Sequence, residues 1–351
     1  MKTVLVTGGA GFIGSHTCLR LLEDGLEVFV IDSFVNSNKQ SLHKVLKIFS
    51  DSFKDKQNKI HIYEGDIRDK NLLIKIFKEA QILKKPIDGV IHFAGLKSVK
   101  ESCKDPLLYW NNNLIGTISL LNIMEEFNCR KLIFSSSATV YKYNSNKLIN
   151  ENEKLNPSNP YGQTKLAIEK ILYELSNKKE DKWKIISLRY FNPVGAHPSG
   201  LIGECPNGIP NNIFPYICGV AIGKFDYLKI FGNDWPTHDG TGIRDFIHVM
   251  DLAKAHTLAL NHLKKLENQF LVINVGTSIG TSVLDLVKTF ERVNKCKIKY
   301  VFSNRRDGDH ARVVADNSLL LKTFGWEPKF NLEEMCKDGW NWQQKNPNGY
   351  D

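Results

Sequence analysis

Tyr161 and Lys165 are four residues apart and follow Asn159 and Pro160, which suit the cap and first turn of a helix. We therefore predict a helix from Tyr161 to about Ser176. Residues four apart share one face of a helix, so the ammonium of Lys165 is expected beside the phenol of Tyr161. A positive charge nearby lowers the pKa of a phenol, which is about 10 in water. The pair predicts a phenolate base that removes a hydroxyl proton while hydride leaves the same carbon.

A serine run, residues 135 to 137, closes the predicted fifth strand, and Ser137 precedes Tyr161 by 24 residues. A serine at that strand end can hold a substrate hydroxyl and pass its proton to the tyrosine. By itself a Tyr-x-x-x-Lys spacing is also typical of a core tyrosine and a solvent-seeking lysine. The added serine favours catalysis, and we predict that Ser137, Tyr161 and Lys165 are the catalytic residues.

Gly8, Gly11 and Gly14 follow the first predicted strand and open a helix. Glycines there let a diphosphate approach backbone N–H groups at the positive helix end. Asp32 ends the second strand about 20 residues later, where a carboxylate can accept both hydroxyls of an adenosine ribose and repel a 2′-phosphate. The pattern predicts NAD rather than NADP. The plainer alternative is a tight turn for the glycines and a helix cap for Asp32.

Short runs rich in β-branched residues alternate with amphipathic stretches through the first half of the chain. We predict parallel strands at residues 3–7, 27–32, 60–63, 89–93, 131–136 and 184–190. This order predicts an α/β fold with a doubly wound parallel sheet of Rossmann type, spanning residues 1–192. From Pro193 the sequence is rich in Gly, Pro and Asn, which predicts a smaller mixed α/β substrate domain over 193–351. Segments 243–256 and 270–276 are expected to return to the main sheet.

The composition of the 351 residues excludes several other classes of protein. The net charge of +9 comes from lysines mixed with acids and asparagines, so no nucleic-acid groove is expected. No apolar run reaches the ~18 residues of a membrane span, and because the first predicted strand begins at Thr3 we expect no signal peptide. The seven scattered cysteines lack a Cys-x-x-Cys pair, which predicts neither disulfides nor a metal site and indicates the cytosol.

Five motifs together resemble the extended short-chain dehydrogenase/reductase family. They are the glycine turn 8–14, the segment 135–141 (SSSATVY), the pair Tyr161 and Lys165, the segment 189–197 (RYFNPVGAH) and the segment 242–249 (GIRDFIHV). The likeness runs from Thr3 to about Tyr350, and within the family it is to epimerases of UDP-sugars. The resemblance implies bound NAD, a UDP-sugar substrate inverted at carbon 4 through a 4-keto sugar, and a homodimer.

The resemblance also implies which residues contact each ligand, beyond the glycines and the catalytic three. For NAD these are Phe12, Ile13, Asp32, Ser33, Phe34, Val35, Asn36, Ser37, Asp66, Ile67, Phe93, Ala94, Gly95, Leu96, Lys97, Asn112 and Phe191. For the UDP-sugar they are Asn192, Asn212, Lys229, Ile230, Phe231, Arg244, Arg306, Asp307, Gly308, Asp309 and Val313. Arg244 and Arg306 have the planar fork that suits a diphosphate.

Position 142 departs from the family pattern, and position 313 is one that varies within the family. Lys142 follows Tyr141 where the family usually has glycine. Val313 matches a position that carries tyrosine or a small residue and limits the sugar pocket. Valine is intermediate in size, so turnover of N-acetylated sugars stays open.

Three rival functions share parts of this pattern. A nucleotide-sugar 4,6-dehydratase needs an additional acid and base for elimination, and such relatives carry Asp-Glu where this chain has Ala138 and Thr139. A UDP-glucuronate epimerase or decarboxylase would need a pocket cation for the carboxylate, which the sequence leaves open. An NAD-sensing binding module would commonly have lost Tyr161 or Lys165, and both are present.

Overall fold

The computed structural model describes residues 1–54, 59–142, 147–178, 182–266, 270–306 and 308–350. The chain divides into two compact units. The first unit contains Met1–Lys142, Lys154–Arg189 and Ala253–Ile273. The second unit contains Tyr143–Glu153, Tyr190–Leu252 and Asn274–Asp351. The chain therefore passes between the units more often than one boundary at residue 192 would allow.

The strands of both units are short and are numbered in chain order. They are β1 Thr3–Thr7, β2 Glu27–Asp32, β3 Ile60–Glu64, β4 Gly89–His92, β5 Lys131–Ser137, β6 Lys184–Tyr190, β7 Asn192–Val194, β8 Leu228–Phe231, β9 Ile243–His248, β10 Phe270–Val275, β11 Gly280–Ser282, β12 Tyr300–Ser303 and β13 Arg312–Val313.

The helices are numbered in the same way. They are α1 Phe12–Glu23, α2 Gln40–Ser52, α3 Lys70–Ile82, α4 Val99–Lys104, α5 Pro106–Tyr109, α6 Gly116–Glu126, α7 Pro160–Ser176, α8 Ile213–Ala221, α9 Val249–His262, α10 Val283–Asn294, α11 Ser318–Phe324 and α12 Leu332–Lys345. A π-helix over Trp110–Ile115 joins α5 to α6, and a 3₁₀ turn over Ala138–Val140 follows β5. No helix in the described ranges is both long and apolar enough to cross a bilayer.

A seven-stranded sheet with the order β10-β6-β5-β4-β1-β2-β3 forms the centre of the fold. The pairs β1·β2, β2·β3, β1·β4 and β4·β5 are parallel. All residues of β1, β2 and β4 are buried, as expected for strands covered by helices on both faces. The predicted α/β fold with a Rossmann-type sheet is confirmed. Chain order reverses between β1 and β4, which is where such sheets bind ligands.

The second unit has its own sheets. Strand β9 pairs antiparallel with β11 and parallel with β7 and β13, while β8 and β12 form a separate parallel pair. Strand β10 lies at the edge of the seven-stranded sheet beside β6. The expectation that segment 243–256 returns to that sheet was wrong for residues 243–248. An apolar run predicts a strand but not its partner, and β9 takes β7 as one partner, pairing Phe246 with Asn192.

Candidate active site

Two glycines shape the turn after β1 because a larger residue would not fit. Gly8 has φ +69°, and a Cβ there would lie 2.8 Å from the backbone nitrogen of Ala94. A Cβ on Gly14 would lie 2.3 Å from the carbonyl oxygen of Gly8. Gly11 caps α1 without any side chain, so the first N–H groups of the helix meet no side-chain cap. The turn has the form that a diphosphate requires, and it fits NAD.

Asp32 lies beside this turn and is 8% exposed. Its Oδ2 accepts a hydrogen bond from the Ala10 backbone N–H at 2.9 Å. Its Oδ1 accepts from the Phe34 backbone N–H at 3.0 Å and from the Ser37 hydroxyl at 2.7 Å. These donors fix the carboxylate at the end of β2, which is the position that a ribose-binding acid needs.

Asp66 and Ile67 follow β3. Arg68 donates to Asp66 Oδ2 at 2.6 Å, and this ion pair lowers the pKa of Asp66. Ile67 is buried and packs against Gly116, where a Cβ would lie only 2.7 Å from Ile67 Cδ1. The Asp66 carboxylate is therefore ionised, and Ile67 contributes an apolar surface beside the end of β3.

The loop after β4, residues 93–97, is held by a residue that the sequence reasoning missed. Asn113, in the π-helix, is 2% exposed and accepts from the Leu96 backbone N–H at 2.8 Å. Its amide donates to the Leu96 carbonyl and to the Thr164 hydroxyl, each at 3.1 Å. The predicted residue Asn112 is partly exposed and donates to the Leu108 carbonyl at 3.1 Å. The available signal was three consecutive asparagines inside a helical stretch, where asparagine is unfavourable.

Lys165 is 5% exposed, on the buried face of α7. Its ammonium donates to the Ser135 carbonyl oxygen at 2.7 Å and lies 4.8 Å from the ring centre of Phe134. The same nitrogen is 5.9 Å from the ring centre of Tyr161. Burial lowers the pKa of Lys165 to about 8, and Glu169 opposes that shift. The lysine is thus a cation fixed by the end of β5.

Tyr161 and Ser137 are 7% and 8% exposed. The Ser137 hydroxyl accepts from the backbone N–H of Thr139 at 3.2 Å and from its hydroxyl at 3.0 Å, which leaves the Ser137 proton for another acceptor. Burial raises the pKa of Tyr161 to about 12, and a hydrogen bond with Ser137 opposes the shift. We predicted that Lys165 lowers the pKa of Tyr161. The protein's own groups do not produce this lowering, because the Lys165 ammonium is directed at the Ser135 carbonyl.

His92, at the end of β4, also lies in the first unit. Its two ring nitrogens are 2.7 Å from the Thr7 hydroxyl and 2.9 Å from the Thr117 hydroxyl. Burial, with a smaller contribution from Lys165, lowers the pKa of His92 to about 3. The imidazole is therefore neutral at pH 7, and its role is to tie β4 to β1 and α6.

In the second unit, one carboxylate brings two predicted arginines together. Asp309 accepts from Arg306 Nε at 3.0 Å and lies 3.5 Å from Arg244 Nη2. Arg244 also donates to the His310 carbonyl at 2.8 Å. The Arg306 guanidinium lies 4.5 Å from the ring centre of Phe231. This arrangement places two cationic forks near each other, as binding a diphosphate requires.

The other predicted substrate residues differ in accessibility. Asn212 is exposed at the cap of α8 and donates to Glu204 at 2.8 Å, and Lys229 is exposed on β8. Ile230 is only 1% exposed, so its side chain belongs to the core of the unit. Val313 is 8% exposed on β13.

The remaining predicted residues of this unit lie near β7 or after β12. Phe191 is buried and its N–H donates to the Val275 carbonyl at 3.2 Å, while Asn192 is half-buried in β7. Gly308 has φ +79°. Asp307 lies outside the described residues.

Comparisons with known proteins show which family the chain belongs to. The family model described as GDP-mannose 4,6 dehydratase matches residues 5–339. UDP-glucose 4-epimerase 2 of Arabidopsis thaliana is 48% identical over 99% of this chain and 97% of that protein. The chain belongs to the UDP-glucose 4-epimerase family.

Solved structures from this epimerase family have the same fold. The enzyme from Stenotrophomonas maltophila, with bound NAD and formylated UDP-arabinopyranose, is 42% identical with a TM-score of 0.92, and 99% of each chain is covered. The enzyme from Bifidobacterium longum, in complex with NAD+ and UDP, is 43% identical with a TM-score of 0.91, covering 99% of this chain and 100% of that one. The predicted membership of an isomerase family that uses NAD is confirmed, while the individual site residues stay predictions.

Proposed function

We propose that this chain interconverts UDP-glucose and UDP-galactose at carbon 4 through a 4-keto sugar and keeps NAD bound throughout. The observation that carries the proposal is the catalytic group at the end of β5. There a buried ammonium is fixed by the Ser135 carbonyl, with Tyr161 and Ser137 beside it. Related epimerases whose structures contain NAD support the same function, as do the glycine turn and Asp32 that fit this cofactor.

Tyr161 removes the proton from the sugar 4-hydroxyl, and Ser137 holds that hydroxyl and relays the proton. When bound, oxidised NAD would accept hydride from carbon 4 and later return it to the opposite face of the ketone, and its positive charge would favour the phenolate. Lys165 adds a second positive charge, held 5.9 Å from the phenol ring. After the ketone turns its other face, Tyr161 returns the proton and the inverted sugar is formed.

The second unit supplies the anchor for the diphosphate in this proposal. Arg244 and Arg306 hold the UDP moiety, so binding energy far from carbon 4 retains the ketone while the ring turns. Their shared partner Asp309 keeps both guanidinium groups oriented.

The matching family model is described as a dehydratase, but the residues after β5 do not suit that reaction. Elimination of water needs an acid and a base in addition to Tyr161. Position 138 is a buried alanine, and Thr139 uses its hydroxyl and N–H to hold Ser137. Neither residue can transfer a proton from a carboxyl group, which favours epimerisation.

Three further points belong to the proposal. The enzyme acts in galactose metabolism in the cytosol, in keeping with seven cysteines that are all free thiols. It forms a homodimer, which light scattering coupled to gel filtration would test. It also turns over N-acetylated UDP-sugars, because Val313 is smaller than tyrosine and leaves more room for the N-acetyl group.

The test is to incubate the purified protein with UDP-galactose, and separately with UDP-N-acetylgalactosamine, without added cofactor, and to identify the products by NMR. Formation of UDP-glucose is the expected result. No interconversion of either sugar, with NAD added in a parallel sample, would refute the proposal. A 4-keto-6-deoxy sugar would instead identify a dehydratase.

A further inference from the structure

The catalytic helix and the serine-bearing turn are joined by a buried network that the proposed mechanism does not use. It consists of Glu169 on α7, Arg189 on β6 and Tyr141 after the 3₁₀ turn. These side chains are 4%, 3% and 2% exposed, and all three belong to the first unit. Buried ions of this kind are costly unless every group is bonded, so a fully bonded network near a catalytic site calls for a reason.

Glu169 lies one helical turn after Lys165 and two turns after Tyr161, on the same face of α7. Its Oε1 accepts from Arg189 Nε at 3.0 Å and from the Ser187 hydroxyl at 2.9 Å. Its Oε2 accepts from Arg189 Nη2, so the pair is bidentate. The helix that presents both catalytic side chains is therefore fixed to β6.

The third donor of Arg189 reaches the other catalytic segment. Nη1 donates to the Tyr141 hydroxyl at 3.0 Å, and the guanidinium lies 4.9 Å from the Tyr141 ring centre. Tyr141 ends the short turn that starts at Ser137, and its N–H donates to the Ala138 carbonyl at 3.2 Å. Fixing the phenol of Tyr141 thus fixes the turn that aims Ser137.

The start of α7 and the 3₁₀ turn after β5 lie so close together that a larger residue would not fit between them. A Cβ on Gly162, at the start of α7, would lie 2.8 Å from the carbonyl oxygen of Thr139. Small displacements of either segment would therefore change the distance between the Ser137 hydroxyl and the Tyr161 phenol. A misplacement of about 1 Å can lower a rate about 100-fold.

We infer that Arg189 is a positioning residue for the epimerase reaction: it bonds Glu169 and Tyr141 at once and thereby sets Ser137 against Tyr161 and Lys165. The inference rests on the proposed function. It requires that loosening the network lowers kcat while leaving the binding of UDP-sugar and NAD unchanged, because none of the three side chains is assigned to either ligand.

The main test is Tyr141→Phe, which keeps the packed ring and removes only the hydroxyl. The matched control is Tyr350→Phe, since Tyr350 is also buried and its hydroxyl donates to the Gly203 carbonyl at 3.1 Å. We expect Tyr141→Phe to lower kcat for UDP-galactose about 10- to 100-fold, with KM and the bound NAD content unchanged. Tyr350→Phe should keep the wild-type kcat, even if it lowers Tm as much as Tyr141→Phe does.

A second variant, Arg189→Lys, keeps the positive charge but cannot bond Glu169 and Tyr141 together. It should lower kcat in the same way. Adding Tyr141→Phe to it should cause little further loss, because both changes remove the same bond.

Unchanged kcat in Tyr141→Phe, or full additivity in the double variant, would overturn the inference. Equal losses in Tyr141→Phe and in the control would do so too, because they would indicate general destabilisation. If the wild-type protein itself shows no turnover, the proposed function fails rather than this inference.

Discussion

The proposed catalytic residues are buried, whereas the arginines proposed to bind the diphosphate are more exposed. Lys165, Tyr161 and Ser137 in the first unit are 5%, 7% and 8% exposed. In the second unit the Arg306 side chain is 55% exposed and that of Arg244 is 19% exposed. Proton transfer needs groups removed from water at fixed positions, whereas an anchor for a charged diphosphate has to exchange partners each cycle.

The hydrogen-bond partners of Lys165 and Arg306 differ in how easily a ligand could replace them. Lys165 is bonded to the Ser135 backbone carbonyl, whose position is fixed within β5. Arg306 is bonded to the side chain of Asp309, which can yield to a phosphate. Changes in the first unit should therefore affect kcat, and changes in the second should affect KM.

Replacement of Tyr161 by phenylalanine should have the largest effect on activity. We expect kcat for UDP-galactose to fall about 10²–10⁴-fold, the usual contribution of a general base, with UDP-sugar binding retained. Calorimetry with UDP and NMR of the products measure the two quantities. Tyr173→Phe is the matched control, because Tyr173 lies on the same helix but is 56% exposed. A kcat within tenfold of wild type would remove Tyr161 from its role.

Arg244→Lys should raise KM for UDP-galactose about 10- to 100-fold, since a hydrogen bond to a charged group contributes ~1.5–3 kcal/mol. We expect kcat to change less than about twofold, as measured by steady-state kinetics. Arg305→Lys is the control: Arg305 donates to Asp234 at 2.8 Å and has no assigned ligand. A loss confined to kcat would contradict the division between the units.

Alkaline pH should lower activity through Lys165, whose pKa burial lowers from 10.5 to about 8. Above pH 8 the ammonium is lost, and kcat should fall about tenfold for each further unit of pH. Stability should move the other way: the unfolded chain keeps this proton up to pH 10.5, so unfolding becomes harder between about pH 8 and 10.5. Kinetics and urea titrations over pH 7 to 10 measure both. A flat kcat across this range would show that the charge of Lys165 is not needed.

The smallest effect is expected from Val313→Tyr. A larger side chain should lower kcat/KM for UDP-N-acetylgalactosamine several-fold while changing that for UDP-galactose less than about twofold. The ratio of the two rates is the measurement, and Val314→Ile in the adjacent buried position serves as the control. Equal loss for both sugars would show that Val313 does not limit the sugar pocket.

Much of the first unit could be predicted because its signals are local. Strands 3–7, 27–32 and 184–190 match the structure residue for residue, and the helix expected from Tyr161 begins at Pro160. Apolar runs and glycine turns depend on near neighbours only, so a sequence shows them directly. Family membership likewise followed from short motifs.

Features that depend on distant residues could not be predicted. The sequence of β9 alone does not show that its partner is β7, which lies about 50 residues earlier in the chain. Asn113 bonds Leu96 and Thr164, which are 17 and 51 residues away. The pKa of Tyr161 was expected to fall, but the direction of the Lys165 ammonium and the degree of burial are properties of packing.

The π-helix over Trp110–Ile115 has a consequence for insertions and deletions. Each residue of a helix turns the following side chains by about 100°. Loss of one residue here would swing both Asn113 away from Leu96 and Thr117 away from His92, although neither residue is replaced. An exposed residue such as Asn111 can be replaced without disturbing these contacts, whereas a change in the length of the segment should break them.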